Sequence, residues 1–316
     1  MAVDAGTKVN SDINQGSCRA CPRECGKDRT RGEKGVCGAA ARAKVARASL
    51  HAWEEPCVSG SRGSGTVFFS HCNLSCVFCQ NYEISQEGFG REVTVGELAE
   101  IFLNLQAQGA HNINLVSPMH YPEPVREALI RAGDRGLRVP VIYNTNAYEK
   151  AETLRRLEGL VDVYLPDLKY FSDEYARRYS RAEGYFAWAS QAILEMLRQV
   201  GAPRFDEDGL IERGLLVRHL VLPGLLADSK AVLRWIAEKL PRDVYVSLMG
   251  QYTPVYQASR CPELARPLTE EEYDEAIDFF FSLGLENGFA QELDSGDPAY
   301  IPEFDLSGVR TDQFSD

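Results

Sequence analysis

Three closely spaced cysteines are the residues of this chain with the clearest chemical potential. Cys72, Cys76 and Cys79 lie in the segment SHCNLSCVFCQNYEIS, and their C-x3-C-x2-C spacing can place three thiolates around one corner of an iron–sulfur cube. Four-iron clusters are normally held by four cysteines. Three protein ligands would leave one iron with an open position, where another molecule can bind and react. The spacing therefore predicts a [4Fe-4S] cluster with a reactive open site.

Two simpler interpretations of the same cysteines stay open. They could form a zinc knuckle, in which case zinc would need a fourth ligand and His71 is the only close candidate. They could also be three buried thiols of a hydrophobic core.

A second group of four cysteines lies near the start of the chain, in CRACPRECGKDRTRGEKGVCG. Its members are Cys18, Cys21, Cys25 and Cys37, with the spacing C-x2-C-x3-C-x11-C. Four thiolates suit either a tetrahedral zinc ion or an auxiliary iron–sulfur cluster, and soft sulfur ligands do not distinguish the two metals. The sequence therefore predicts a metal site here and leaves both metals as alternatives.

The composition indicates a cytoplasmic protein without membrane or nucleic-acid partners. The chain has 316 residues, of which 44% are hydrophobic and 25% charged, close to the average of globular domains. No apolar run approaches the roughly 18 to 20 residues needed to cross a bilayer, and the first residues lack the pattern of a signal peptide. A net charge of −12 argues against a nucleic-acid surface. Thiols grouped like metal ligands, without a secretion signal, are typical of a reducing compartment.

The elements that must position the first cysteines alternate between strands and helices. The apolar segment TVFFS leads into the cysteine loop, and five more strand-like segments follow: NINLVS, VPVIYNTN, VDVYLPDLKY, LLVRHLVLPG and DVYVSLM. Helical patterns separate them, which indicates βαβ crossovers and a parallel sheet. In such folds the catalytic groups lie at the carboxyl ends of the strands, which is where the cysteines are. The predicted fold is α/β, a partial (β/α)6 barrel over residues 61–302.

The ends of the chain are predicted to lie outside this barrel. A small four-cysteine metal-binding segment is expected over residues 18–60. Residues 1–17 are predicted to be a disordered lead, and residues 303–316 an irregular tail.

The strand, the C-x3-C-x2-C loop and Phe78 just before the third cysteine resemble the radical S-adenosylmethionine (AdoMet) superfamily. In that family the open iron binds the amino and carboxylate groups of AdoMet, and the reduced cluster cleaves AdoMet to methionine and a 5′-deoxyadenosyl radical. The resemblance implies that Cys72, Cys76 and Cys79 are the cluster ligands and that Phe78 packs near the adenine. From about Cys18 to Gln291 the chain resembles, more narrowly, the pyruvate formate-lyase activating enzyme-like group.

The same resemblance assigns roles to polar residues where the predicted strands end. The AdoMet-binding candidates are Ser117, Asn144, Asn146, Asp167, Lys169 and Arg218. The substrate-side candidates are His120, His219, Gln251 and Tyr252. Many radical enzymes carry a Gly-Gly-Glu type motif that binds the AdoMet amino group where this chain has SPMHY. We expect Ser117 and the backbone around Pro118 to make that contact here.

Among these candidates, two pairs leave alternatives open. Arg218 is expected to pair bidentately with the AdoMet carboxylate, a geometry that suits a guanidinium. His219 alternates with Arg218 along a strand, so one of the two should face inward and the other outward. Asp167 and Lys169 could instead form a plain ion pair.

Three functional hypotheses follow, two implied by the resemblance and one that rests on the two cysteine groups alone. The leading one is a radical AdoMet enzyme that activates a glycyl-radical protein by abstracting hydrogen from a glycine. The alternative is a radical AdoMet enzyme that acts on a small metabolite or a peptide residue. A more distant one is a non-catalytic zinc or iron–sulfur binding protein. For the enzyme we expect a flavodoxin- or ferredoxin-type electron donor.

Overall fold

One mostly parallel sheet organises the part of the chain that this computed structural model describes, residues 17–291 and 302–309. Its strands are β1 (Ala43–His51), β2 (Ser64–Phe69), β3 (Arg91–Val93), β4 (Ile113–Val116), β5 (Val141–Thr145), β6 (Val163–Pro166), β7 (Arg204–Phe205), β8 (Ile211–Leu220), β9 (Tyr245–Met249) and β10 (Gly288–Ala290). Neighbouring strands follow the order β10-β9-β8-β6-β5-β4-β2-β1-β3, and β7 pairs with β8.

The parallel part of the sheet contains the six predicted strands. β2, β4, β5, β6, β8 and β9 run parallel side by side, and β10 joins β9 in the same direction. β1 is antiparallel to β2, and β3 is antiparallel to β1. Within the described residues the sheet runs from β3 to β10 without closing, so the predicted α/β partial barrel is confirmed.

Helices cover the sheet, and the longer ones bury an apolar face. They are α1 (Pro56–Ser59), α2 (Tyr82–Ser85), α3 (Val95–Ala107), α4 (Pro122–Asp134), α5 (Ala151–Arg155), α6 (Asp173–Ser180), α7 (Tyr185–Val200), α8 (Leu226–Lys239) and α9 (Glu270–Ser282). α3 begins at a capping box of Thr94 and Glu97, which satisfies two amides of its first turn. Its buried residues Leu98, Ile101 and Leu105 recur at helical spacing and pack into the core. In the described ranges no helix combines the length and apolar character needed to cross a membrane.

The described C-terminal segment, residues 302–309, packs against β1. Leu306 donates a backbone hydrogen bond to Ala46, and Ala48 donates one to Ser307. β1 itself falls inside the stretch 18–60 that was assigned to the metal-binding segment. Apart from residue 17, the predicted lead lies outside the described residues, as does the predicted tail beyond residue 309.

Candidate active site

A cavity of about 290 Å³ opens where the parallel strands end. It is lined by the three cysteines that follow β2 and by polar side chains that follow the other strands, because parallel strands end at the same edge of a sheet. The predicted site residues that line it are Cys72, Cys76, Cys79, Phe78, Ser117, Asn144, Asn146, Asp167, Lys169, Arg218, Gln251 and Tyr252. The fold therefore brings together side chains that are up to 180 residues apart in sequence.

The cysteines lie on a loop, residues 70–81, which we call the cluster loop. It leaves β2, a strand buried along its whole length, and backbone hydrogen bonds with other segments hold it in place. Ser75 donates to the carbonyl of Ser180, Val77 donates to that of Tyr179, and Gln257 donates to that of Val77. These contacts hold the cluster loop against the end of α6, so the positions of the three thiols are fixed by distant parts of the chain.

Each thiol of the cluster loop has a polar side chain beside its sulfur. Asn146 Nδ2 lies 3.3 Å from Cys72 Sγ. Ser180 Oγ lies 3.0 Å from Cys76 Sγ, and Ser85 Oγ lies 3.2 Å from Cys79 Sγ. Three sulfurs in one cavity wall, each with a potential hydrogen-bond donor, fit the three protein ligands of a four-iron cluster with one open iron.

Burial keeps these thiols protonated in the metal-free protein. It raises the pKa of Cys72 to about 12 and that of Cys79 to about 11, and it also raises the pKa of Cys76. Because a metal binds the thiolate, cluster binding must release protons, and the neighbouring donors would then stabilise the anionic sulfurs.

The lysine and the arginine that line the cavity are already paired with carboxylates. Lys169 Nζ lies 2.7 Å from Asp167 Oδ2, and although burial favours a neutral amine, Asp167 raises the pKa of Lys169. Arg218 Nε donates to Glu55 Oε1 at 2.8 Å, and its Nη2 bonds both Glu55 and Glu54. The bidentate pairing that was expected between Arg218 and the AdoMet carboxylate is thus taken by Glu55 within the chain.

Sequence reasoning missed Glu54 and Glu55. Glu55 is 3% exposed, and Arg218 holds its pKa below the usual value although burial alone would raise it. Glu54 lines the cavity and also accepts a hydrogen bond from Asn114 at 2.8 Å. The available signal was the pair of acidic residues in HAWEEPC, directly after the alternating polar and apolar residues of β1.

Two predicted substrate-side histidines are not brought to the cavity. His120 is 2% exposed, and its Nε2 lies 2.7 Å from the carbonyl of Ser70, on the side of the N-terminal segment. His219 is buried with its Nδ1 2.7 Å from the carbonyl of Leu168. Since side chains alternate along a strand, Arg218 faces the cavity and His219 faces the opposite side of β8.

Gln251 and Tyr252 line the cavity on the side of β9. The Tyr252 hydroxyl donates to the carbonyl of Leu264 at 2.6 Å, so its ring rather than its hydroxyl is presented to the cavity. This ring packs edge-on against Phe78, with the two centroids 5.9 Å apart. The pair therefore forms an apolar surface beside the cluster loop.

The four N-terminal cysteines form a second group of thiols, which we call the N-terminal cysteine site. Cys21, Cys25 and Cys37 each accept a hydrogen bond from the backbone two residues further on. Cys25 also contacts Cys18, and a Cβ built on Gly35 would lie 3.1 Å from Cys37 Sγ and 3.5 Å from Cys25 Sγ. Amides directed at sulfur favour the thiolate, the form that binds metals.

Two thiols of the N-terminal cysteine site have pKa values that are shifted in opposite directions. Burial raises the pKa of Cys21 to about 12, whereas hydrogen bonds outweigh burial at Cys25 and lower its pKa. Arg29 Nη1 lies 3.9 Å from Cys18 Sγ. Across the ranges 17–291 and 302–309, no three histidine, cysteine, aspartate or glutamate side chains are arranged to hold a single metal ion as they stand. The thiols are thus grouped and supplied with donors without forming a finished site for one ion.

Comparisons with known proteins find a family profile, sequence relatives and a solved structure that are similar to this chain. The sequence profile of the radical SAM superfamily matches residues 66–236. An uncharacterized protein of Methanocaldococcus jannaschii is 30% identical over 281 residues, which cover 85% of this chain and 76% of that protein. The 7-carboxy-7-deazaguanine synthase of Methanothermobacter thermautotrophicus is 30% identical over 109 residues, or 34% of this chain and 43% of that enzyme. The structure of Streptococcus suis SuiB bound to S-adenosylmethionine has a TM-score of 0.48 at 13% identity, covering 72% of this chain and 50% of that one.

Proposed function

Because the chain belongs to the radical SAM superfamily, we propose that it cleaves AdoMet reductively at a [4Fe-4S] cluster held by Cys72, Cys76 and Cys79 and abstracts hydrogen from a substrate. The observation that carries this proposal is the placement of the three sulfurs in the wall of a cavity at the carboxyl ends of parallel strands. When bound, such a cluster supplies the electron that breaks AdoMet into methionine and a 5′-deoxyadenosyl radical.

The residues of this chain then orient the cluster ligands and protect the radical from water. Asn146, Ser180 and Ser85 orient the three cysteines through their side chains. Phe78 and Tyr252 supply the apolar surface that keeps water away from a reactive radical.

Lys169 is our proposed partner for the carboxylate of AdoMet, in place of Arg218. An ammonium carries three N–H donors, and Asp167 accepts one of them. Lys169 therefore has donors to offer at the cavity wall while its charge remains balanced.

We further propose that the N-terminal cysteine site binds a metal, either zinc or an auxiliary iron–sulfur cluster. The four grouped sulfurs and the amides directed at them support metal binding. The ligand type suits both metals, so metal analysis has to decide between them.

Within this reaction class we favour hydrogen abstraction from a glycine of a protein partner. The segments DLKY and VRHLVLPG resemble those of glycyl-radical activating enzymes. Trp53, which is 61% exposed, stands beside the open cavity, where a loop of another protein can pack. A flavodoxin- or ferredoxin-type protein is the proposed electron donor.

A small metabolite or a peptide residue is the second candidate substrate. The partial match to a 7-carboxy-7-deazaguanine synthase, an enzyme named for a small-molecule product, favours it. The two candidates differ in where the abstracted hydrogen originates.

The test of the reaction class is AdoMet cleavage by the anaerobically reconstituted full chain. With dithionite and AdoMet we expect 5′-deoxyadenosine and methionine in equal amounts, and none from Cys76→Ala. Absence of 5′-deoxyadenosine from a protein carrying four irons per chain, with candidate substrates present, would contradict the proposal. To separate the substrates, a glycyl-radical protein labelled with α-deuterated glycine should transfer deuterium into 5′-deoxyadenosine, whereas a small-molecule enzyme leaves it unlabelled.

A further inference from the structure

The N-terminal cysteine site and the cluster loop share a buried residue, Asn73. It follows the cluster ligand Cys72 and is 2% exposed. Its Oδ1 accepts a hydrogen bond from Asn146 Nδ2 at 2.9 Å, and the same Nδ2 lies 3.3 Å from Cys72 Sγ. On its other side, the Asn73 side chain bonds Cys21 and donates to the carbonyl of Tyr148 at 2.7 Å. One asparagine thus lies between a thiol of each cysteine group.

A second contact joins the two regions through His71. A Cβ built on Gly38, next to Cys37, would lie 2.7 Å from His71 Nδ1. His71 precedes Cys72 and holds a positive φ of 75°, so its backbone has little freedom to adjust. The turn after Cys37 therefore packs directly on the start of the cluster loop.

A third contact runs through Arg29. Its guanidinium lies 3.9 Å from Cys18 Sγ and donates to the carbonyl of His120 at 2.7 Å. The His120 ring in turn lies 2.7 Å from the carbonyl of Ser70. Three of the four N-terminal cysteines are therefore linked to the stretch Ser70–Asn73 that carries the first cluster ligand: Cys21 directly, and Cys37 and Cys18 through one and two residues.

We propose that Asn73 is a positioning residue that couples the two cysteine groups, so that a metal in the N-terminal cysteine site strengthens retention of the cluster on the cluster loop. This inference rests on the proposed function, since it needs a cluster on the cluster loop. Metal binding at the first group fixes Cys21, Cys21 fixes Asn73, and Asn73 with Asn146 fixes Cys72. Coupling of this kind is reciprocal, so the cluster also strengthens metal binding at the N-terminal cysteine site.

The experiment compares cluster retention in full-length variants. Cys25→Ala removes one of the two half-buried thiols of the N-terminal cysteine site, and Asn73→Ala cuts the bridge while keeping all seven cysteines of the two groups. Asn104→Ala, a half-buried asparagine of α3, is the matched control. Each reconstituted protein is titrated anaerobically with an iron chelator. The readouts are zinc and iron per chain and the EPR signal of the reduced cluster that changes on adding AdoMet.

The readout is the chelator concentration that halves the AdoMet-sensitive signal. We expect it to fall roughly tenfold in Cys25→Ala and in Asn73→Ala, a loss of metal affinity typical of removing a residue that supports a metal ligand. The double variant should lose no more than either single one, and Asn104→Ala should match the wild type. If Asn73→Ala does not fold, Asn146→Ala cuts the same bridge at Cys72 and should show the same tenfold loss.

Three outcomes would overturn the coupling while leaving the radical reaction standing. In the first, Cys25→Ala loses its N-terminal metal but retains the AdoMet-sensitive signal as the wild type does. In the second, the effects of Cys25→Ala and Asn73→Ala multiply. In the third, the wild type binds the AdoMet-sensitive cluster but carries only four irons and no zinc per chain, so that no metal is left for the N-terminal cysteine site. A wild type without any AdoMet-sensitive cluster would instead overturn the proposed function.

Discussion

At the scale of single residues, the neighbours of the cluster cysteines determine how a bound cluster behaves. Hydrogen bonds to cysteine sulfurs are among the factors that set the reduction potential of an iron–sulfur cluster. Ser180 is the most buried of these neighbours, and the Tyr170 hydroxyl lies 2.8 Å from its Oγ. Tyr170 can therefore donate to Ser180 while Ser180 donates to Cys76, which stabilises the more negative, reduced cluster.

Replacing Ser180 with alanine should make the cluster harder to reduce. Loss of one hydrogen bond to a charged sulfur is expected to shift the one-electron equilibrium about tenfold, which is about 59 mV toward more negative potential. An EPR-monitored redox titration measures this shift. Ser190→Ala, in α7, removes a hydroxyl that bonds a carbonyl of its own helix, and it should leave the potential unchanged. An unchanged potential in Ser180→Ala would show that this serine does not donate to the cluster ligand.

Glu149 gives a prediction for pH. Burial raises its pKa to about 7, although Tyr143 donates to it at 2.9 Å and Thr145 donates as well. Because this value exceeds the roughly 4.3 of an unfolded glutamate, the native state binds the proton more tightly. The stability that this group contributes is full below about pH 4.3 and is lost as the pH rises through 7, by roughly 4 kcal/mol in total.

Glu149→Gln should therefore flatten the pH dependence of unfolding between pH 5 and 8. Urea unfolding of the metal-free protein at several pH values measures it, since cluster loss then does not contribute. The exposed Glu207→Gln is the control and should retain the wild-type slope. A wild-type slope in Glu149→Gln would contradict the raised pKa.

The sequence was sufficient to predict which cysteines line the cavity but not what touches them. Spacing within ten residues of chain indicates a shared loop, and the strand ends indicated Asn146 and Lys169. Ser180 is 104 residues from Cys76, at the end of a helix with no sequence signal of its own. Arg218 was correctly predicted at the edge of the sheet where the parallel strands end. Its partners, Glu54 and Glu55, could not be predicted because they follow a strand that precedes the barrel.

At the scale of elements, the geometry of the cluster loop depends on glycines that press against His71. A Cβ built on Gly88 would lie 2.4 Å from His71 Cε1, and Gly88 has a φ of +69°. Burial lowers the pKa of His71 to about 4, so the ring is neutral where it packs. A methyl group at Gly88 would have to displace this ring and, with it, the backbone of Cys72.

Gly88→Ala should therefore reduce cluster binding beyond the cost of its backbone. Gly284→Ala is the matched control, because Gly284 has a similar φ of +74° and a built Cβ there meets open space. Both variants should lose about 1–2 kcal/mol of stability, the cost of a side chain in the left-handed region. In Gly88→Ala alone, iron retention against a chelator should fall roughly tenfold. Equal iron retention in both variants would mean that His71 does not transmit the change.

β1 is the longest of the four strands that sequence reasoning omitted; the others are β3, β7 and β10. Its residues alternate polar and apolar side chains, as expected of a half-buried strand, but the strand is antiparallel and precedes the βαβ units from which the barrel was inferred. The crossovers of a parallel sheet predict the six central strands and give no information on an antiparallel strand added at the edge. For that reason Glu54 and Glu55, just beyond β1, were also missed.

At the scale of the whole molecule, Arg218 joins opposite parts of the open sheet. It lies on β8, whereas Glu54 and Glu55 follow β1, and several strands separate these two positions in the sheet. The ion pair therefore crosses the barrel instead of linking neighbouring strands. Removing one partner of a buried ion pair costs about 3–5 kcal/mol, because the remaining charge is uncompensated.

Arg218→Leu is expected to destabilise the protein by about 3–5 kcal/mol near pH 7. The loss should shrink at lower pH, where the two abandoned carboxylates take up protons. Chemical unfolding at pH 5 and pH 7 measures both effects, and the exposed Arg242→Leu serves as control. A stability within 1 kcal/mol of the wild type at pH 7 would mean that the pair does not tie the barrel together.

The most direct test of the account is the EPR spectrum of the reduced, reconstituted protein with and without AdoMet. If Cys72, Cys76 and Cys79 hold a [4Fe-4S] cluster with one open iron in this cavity, AdoMet must change the g values of the reduced cluster. The analogue S-adenosylhomocysteine, which lacks the sulfonium methyl group but keeps the amino acid, should compete with that change. A four-iron cluster whose spectrum is the same with and without saturating AdoMet would contradict the assignment of this cavity as the AdoMet site.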